Sequence, residues 1–89
     1  MNGYIIMDTS VKRMNARTPL EEGLFFAGFL DQNKEDWRKA FTESKVYPSA
    51  EAAVAVARQL KATLPSHSPK VFFIQQNGPN YNIGDINYQ

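Results

Sequence analysis

Cysteine is absent from the 89 residues, which excludes disulfides, thiolate metal sites and cysteine nucleophiles. Histidine occurs once, at His67, and a lone histidine without thiolates falls short of the ligand set that zinc takes. An excess of one charge is also missing. Ten Lys plus Arg against nine Asp plus Glu leave a formal charge of +1, which gives no strong pull toward nucleic acid or anionic membranes. No apolar run has the length of a membrane span. The opening MNGYIIMD meets an acid at Asp8 without a basic leader, so it does not read as a secretory signal, and a cytoplasmic protein is expected. The glycines, Gly3, Gly23, Gly28, Gly78 and Gly84, are scattered and none opens a helix, so no phosphate-cradling loop is present. With no repeat or low-complexity linker, residues 1–89 read as a single domain.

What is there is a hydrophobic fraction of 43% with 12% aromatics, enough for a globular core. The clearest element is the run from Ser49 to Leu64, SAEAAVAVARQLKATL. Ser49 can cap the first turn, Glu51 suits the positive end of the helix dipole, and Pro65 stops the helix. Ala53, Val56, Ala57, Leu60 and Leu64 recur at helical spacing and predict one buried face, while the many alanines let the backbone lie close to a sheet.

Strands are predicted over 3–8 (Tyr4, Ile5, Ile6, Met7), over 23–30 and over 70–76, KVFFIQQ. In the second of these, alternation sets Phe25 and Phe29 on one side and Leu24, Phe26 and Leu30 on the other, and Gly28 suggests a bulge or a close approach by the helix. DQNKED, residues 31–36, reads as a polar turn, and 37–47 as a weaker third strand with Trp37, Phe41, Val46 and Tyr47 as its apolar content. Residues 9–22 form a polar arm bearing Lys12, Arg13 and Arg17. The tail 80–89, with Tyr81, Ile83, Ile86 and Tyr88, is either an edge strand or a docking segment. The sum is an α+β fold: a mostly antiparallel sheet of three to five strands, in β-β-β-α-β order, with one helix on one face. A single helix leaves the second face poorly covered, so exposed aromatics or a homodimer are expected.

Chemistry is hard to find. His67 lies between Ser66 and Ser68 in a proline-bounded turn, where neighbouring side chains diverge, and reads as a solvent-facing loop residue. The carboxylate pairs Glu21 with Glu22 and Glu35 with Asp36 look solvated, and DQNKED lacks calcium-loop spacing. The expectation is a protein without enzymatic activity, cofactor or metal. A protein partner would meet Arg13, Arg17, Trp37, Tyr81 and Tyr88, residue types that dominate interface energetics, although Trp37 serves equally well as a core plug over the helix. The alternative is nucleic acid, RNA or single-stranded DNA, held by Lys12, Arg13, Arg17 and Lys70 with Tyr4, Phe72 or a tail tyrosine for stacking.

The stretch from Trp37 through Phe41, then VYPSAEAAVAVARQL and KVFFIQQ, resembles a pattern in small accessory proteins of phages and other mobile elements. There a strand ending in an aromatic and a Ser or Pro-Ser leads into an alanine-rich helix and a last strand. Some anti-defence inhibitors, anti-CRISPR proteins among them, are similar in size and layout. The resemblance carries no functional residue across. It implies a small non-catalytic binder, working in the host-cell cytoplasm, that blocks another macromolecule.

Overall fold

The computed structural model describes residues 2–10, 23–31, 34–39 and 41–86. In chain order the elements are β1 (Asn2–Asp8), β2 (Leu24–Asp31), β3 (Lys34–Arg38), a short 3₁₀ turn (Phe41–Glu43), α1 (Ala50–Thr63), β4 (Pro69–Asn77) and β5 (Asn80–Ile86). The strands form one antiparallel sheet in the order β3-β2-β1-β4-β5, with α1 packed on one face. The α+β architecture is the one expected from the sequence, with the tail contributing a fifth strand as far as Ile86.

Both ends of α1 fall where local chemistry marks them. The Ser49 hydroxyl accepts from the Ala52 N–H at 3.2 Å, and the Leu64 N–H closes the last turn on Leu60 O at 2.7 Å, ahead of Pro65. Ala53, Ala57 and Leu60 are buried against Ile6, Phe26, Tyr47 and Val71, with Val56 partly buried beside them. Alternation along β1 sends Ile6 and Asp8 to this face and Ile5 and Met7 to the other. There Ile5, Met7, Phe25, Phe72 and Ile74 are buried in the lone molecule, so the expected uncovered face is not found, and with it goes the reason given for a second copy on that face.

Three further expectations change. The third strand is Lys34–Arg38, KEDWR, and Asp31 pairs with Lys34, so all of the described residues of DQNKED are strand rather than turn. Among the described residues from 39 to 47 there is no strand, only a bridge at Tyr47. Instead β1 and β2 pair at Met7 with Phe25 and Asp8 with Leu24, then splay, and residues 45–47 fill the gap. Tyr4 and Tyr47 exchange main-chain bonds at 3.0 and 2.8 Å, and the Lys45 N–H reaches Phe26 O at 2.9 Å. Finally, Phe29 does not share a side with Phe25. Gly28, at φ 110°, lies in a bulge between Phe26 and Phe29; the extra residue resets the alternation, and Phe29 sits edge-on to Phe26 at 5.1 Å. The nearest group to Gly28 is the Lys45 side chain, not the helix.

Candidate functional site

Two places on the sheet combine chemistry with position: a buried carboxylate where β1 ends, and the outer edge of β5. The first begins with Asp8, the last residue of an apolar strand and fully buried. One carboxylate oxygen, Oδ1, accepts from the Ser10 N–H at 2.9 Å, the Ser10 hydroxyl at 2.7 Å and the Ser68 N–H at 2.9 Å. The other, Oδ2, lies 2.6 Å from His67 Nδ1 and off the axis of the ring N–H, so the contact is a close polar approach and not a linear hydrogen bond. The imidazole in turn stacks on Trp37, with ring centres 5.4 Å apart and planes at 22°.

The surrounding turn is pinned from two more sides. Thr9 donates through its N–H and hydroxyl to Ser68 O at 2.9 and 3.0 Å. Lys61 Nζ, in the last turn of α1, donates to Pro65 O and His67 O at 2.9 Å each, placing a cation at the negative end of the helix. Burial alone pushes the Asp8 carboxyl up. The Ser68 N–H, the Ser10 hydroxyl and N–H, and the charge of His67 together outweigh it, holding the carboxyl below its ordinary value.

His67 is therefore not the solvent-facing loop residue expected from the sequence: its side chain is 29% exposed and held between Asp8 and Trp37. A carboxylate beside a histidine is two parts of a nucleophile-activating relay, but the hydroxyl nearest Asp8, that of Ser10, donates to the carboxylate and not to the imidazole. An open depression of about 630 Å³ nearby is lined by Thr9, Lys61, Ser68, Lys70 and Asp85, and His67 is not among its walls. What this arrangement does is clamp the end of β1 to the start of β4. Among the described residues no group of three His, Asp or Glu stands close enough to hold a metal ion.

The second place is the pair of sheet edges. β3 is a short edge: five residues, KEDWR, four of them charged, paired to β2 across register shifts, with Arg38 held to Asp36 at 2.9 and 3.0 Å. β5 is a long, regular edge, paired to β4 without a shift from Asn77 opposite Asn80 to Val71 opposite Ile86. Its direction of main-chain groups follows from one bond. The Gln76 N–H donates to the Asn2 side chain, on the β1 side, so Gln76 faces away from β5. Gln76 and Tyr81 are thus a non-hydrogen-bonded pair, and the main-chain groups of Tyr81, Ile83 and Asp85 point outward from the sheet.

The residues expected to contact a partner are not gathered in one patch. Trp37 is half-buried on the helix face of β3, edge-on to Phe26 at 5.5 Å and stacked on His67, in the core-plug position. Tyr81, half-buried, packs against the opposite face of the sheet from β5. Arg13, Arg17 and Tyr88 lie outside the described residues, as does Lys12 of the nucleic-acid set. Lys70, the remaining member of that set, is paired with Asp85 at 2.8 Å. The sequence reading misses Asp8, whose signal is an acid closing the apolar run YIIM, and takes His67 for a solvent-facing residue because its partner is distant in sequence. No protein-family model matches the chain, and no curated protein or solved structure matches it. The functional reading rests on the chain's own geometry.

Proposed function

We propose that this protein is a non-catalytic binding module that takes an extended segment of a partner protein onto the outer edge of β5, and that it inhibits by holding that segment. The observation that carries this reading is the contrast between the edges. Unprotected edges template strand addition, and proteins defend them with short strands, charge, bulges or proline. β3 has the first three defences. β5 has none of the four: it is seven residues long, regular, free of proline, and its one charge, Asp85, is paired with Lys70. Main-chain bonds to an added strand supply affinity, and side chains on alternate positions supply selectivity. The nucleic-acid reading has less support, since Lys70 is matched by Asp85; an RNA or DNA gel shift that weakens steeply with salt would favour it.

Affinity purification from the native host, followed by mass spectrometry, compares the wild type with two variants. Asp85→Pro removes an outward N–H and leaves the β4 ladder intact, a placement that edge strands tolerate. Phe29→Ser changes an exposed apolar residue of β2, beside the other edge. The reading expects a protein that accompanies the wild type and Phe29→Ser to be lost from Asp85→Pro, with the amides of Ile83 and Asp85 slowed in hydrogen exchange when it binds. A partner retained by Asp85→Pro overturns it.

A further inference from the structure

We infer that Asn77 is a site of spontaneous covalent modification, at which the main-chain nitrogen of Gly78 attacks the asparagine side chain and the β4–β5 hairpin passes through a succinimide to an aspartyl or isoaspartyl link. The inference is independent of the strand-capture reading above. The chain has two Asn-Gly dipeptides, Asn2-Gly3 and Asn77-Gly78. Glycine leaves the attacking nitrogen unshielded, since no side chain stands beside it. What separates the two is the fold.

Asn77 and the next three residues are exposed, and a Cβ built on Gly78 meets nothing within 4 Å. No hydrogen bond to a described residue holds the Asn77 side chain. Closing the ring turns the Asn77 backbone out of its extended geometry, and because Asn77 opposite Asn80 is the last pair of the β4–β5 ladder, this opens a strand end and no more. Asn2 differs in each respect. Its Oδ1 accepts from the Gln76 N–H at 2.9 Å, which holds the amide toward β4. Gly3 is buried, and a Cβ there would come within 2.8 Å of Tyr47 O. β1 is flanked by β4 on one side and by the Tyr4–Tyr47 main-chain bonds on the other, so ring closure at Asn2 needs the strand to leave the sheet.

The reaction balances with water as its only co-reactant. Solvent base takes the Gly78 N–H proton, the nitrogen bonds to Asn77 Cγ, and the side-chain nitrogen leaves as ammonia. Water then opens the ring. Opening at the side-chain carbonyl gives aspartate at this position; opening at the main-chain carbonyl gives the isoaspartyl link, whose main chain runs through Cβ and is longer by one atom. Both products place a negative charge at the hairpin tip. The longer link also spoils the tight turn that sets Asn80 opposite Asn77.

Ageing the wild type in mildly alkaline buffer, followed by tryptic mapping beside an unaged control, tests the inference. Trypsin cuts after Lys12 and Lys70, which puts the two asparagines on separate peptides, 1–12 and 71–89. Fragmentation of the second should place conversion of amide to acid at Asn77, ahead of Asn80 and Asn82, with aspartyl and isoaspartyl forms resolved by chromatography. In the folded protein Asn77 should convert at least about tenfold faster than Asn2, and in urea the two rates should converge. The aged wild type should show faster hydrogen exchange at Asn80. Asn77→Gln, which needs a larger ring, should show neither conversion there nor that change. Asn2 converting as fast as Asn77 in the folded protein, or Asn77 converting no faster than Asn80, overturns the inference.

Discussion

The two halves of the sheet on either side of β1 follow different rules. Toward β4 and β5 the ladder is unbroken, from Asn2 opposite Gln75 to Asp8 opposite Pro69 and on across the β4–β5 hairpin. Toward β2 and β3 it is irregular: β1 and β2 pair at only one end, residues 45–47 wedge into the gap, and two register shifts interrupt the β2–β3 pair. The irregular half holds the bulge at Gly28, the Trp37 stack and the defended edge. The regular half holds the one that no other described strand pairs. Irregularity here is a means of ending a sheet, and regularity leaves it able to grow. The clamp at Asp8 is the point where the halves meet, since its ligands come from the residues after β1 and before β4 while its histidine leans on Trp37 of β3.

The largest effect should come from breaking that junction. Asp8→Ala strands the donors of Ser10 and Ser68 and removes the anion beside His67, and loss of one partner from a buried charged network costs about 3 to 5 kcal/mol. Urea unfolding should show the loss, and Asp8→Asn should recover only part of it. Acid sharpens the same comparison. Because the folded carboxyl sits below its ordinary value of 3.8, the unfolded chain binds the proton first as pH falls. The stabilisation by Asp8 is complete above that value and drains away as pH drops through the folded pKa beneath it. The gap in stability between wild type and Asp8→Asn should therefore narrow below pH 3.8, and a gap that stays constant there would contradict the clamp's electrostatic role.

An intermediate effect is expected at the bulge. Gly28 holds φ 110°, a conformation that side-chain-bearing residues resist, so Gly28→Ala should cost about 1 to 3 kcal/mol although there is room for the methyl group, the nearest atom being 3.7 Å from an added Cβ. The relevant readout is thermal unfolding together with the fluorescence of Trp37, which lies across from Phe26 on the neighbouring strand. A neutral substitution would mean that the backbone can relax out of the bulge, and the distinction between the halves would lose its main structural cause.

How far each half was legible follows from the same difference. The helix could be read because its cap, its stop and its apolar face are all local, and β4 because KVFFIQQ favours extended structure on its own account. β3 could not. KEDWR is polar along most of its length and owes its strand to pairing with β2, a tertiary effect that overrides composition. Phe29 was assigned to the wrong side because a period of two assumes no inserted residue, and Gly28 inserts one. The Asp8–His67 contact joins residues far apart in the sequence, and nothing in the turn PSHSP names its partner. The edge contrast was half visible: the tail 80–89 read as an edge strand or a docking segment, while its regular register appears only once β4 is placed beside it.

The smallest expected effect completes the comparison, and it has the opposite sign. Gly84 lies mid-strand in β5, outside the positive-φ glycines, and a Cβ there would make an ordinary contact of 3.9 Å with Phe73 Cβ. Its flexibility is therefore used by the unfolded chain alone, and Gly84→Ala should stabilise by about 0.4 to 1 kcal/mol. The same replacement that damages the irregular half at Gly28 should thus strengthen the regular half at Gly84. Measured side by side by urea unfolding, opposite signs would show that the glycines answer to backbone geometry and not to sequence context. Two losses of similar size would mean that β5 is held under strain of its own, and a strained strand makes a poor template for a second one.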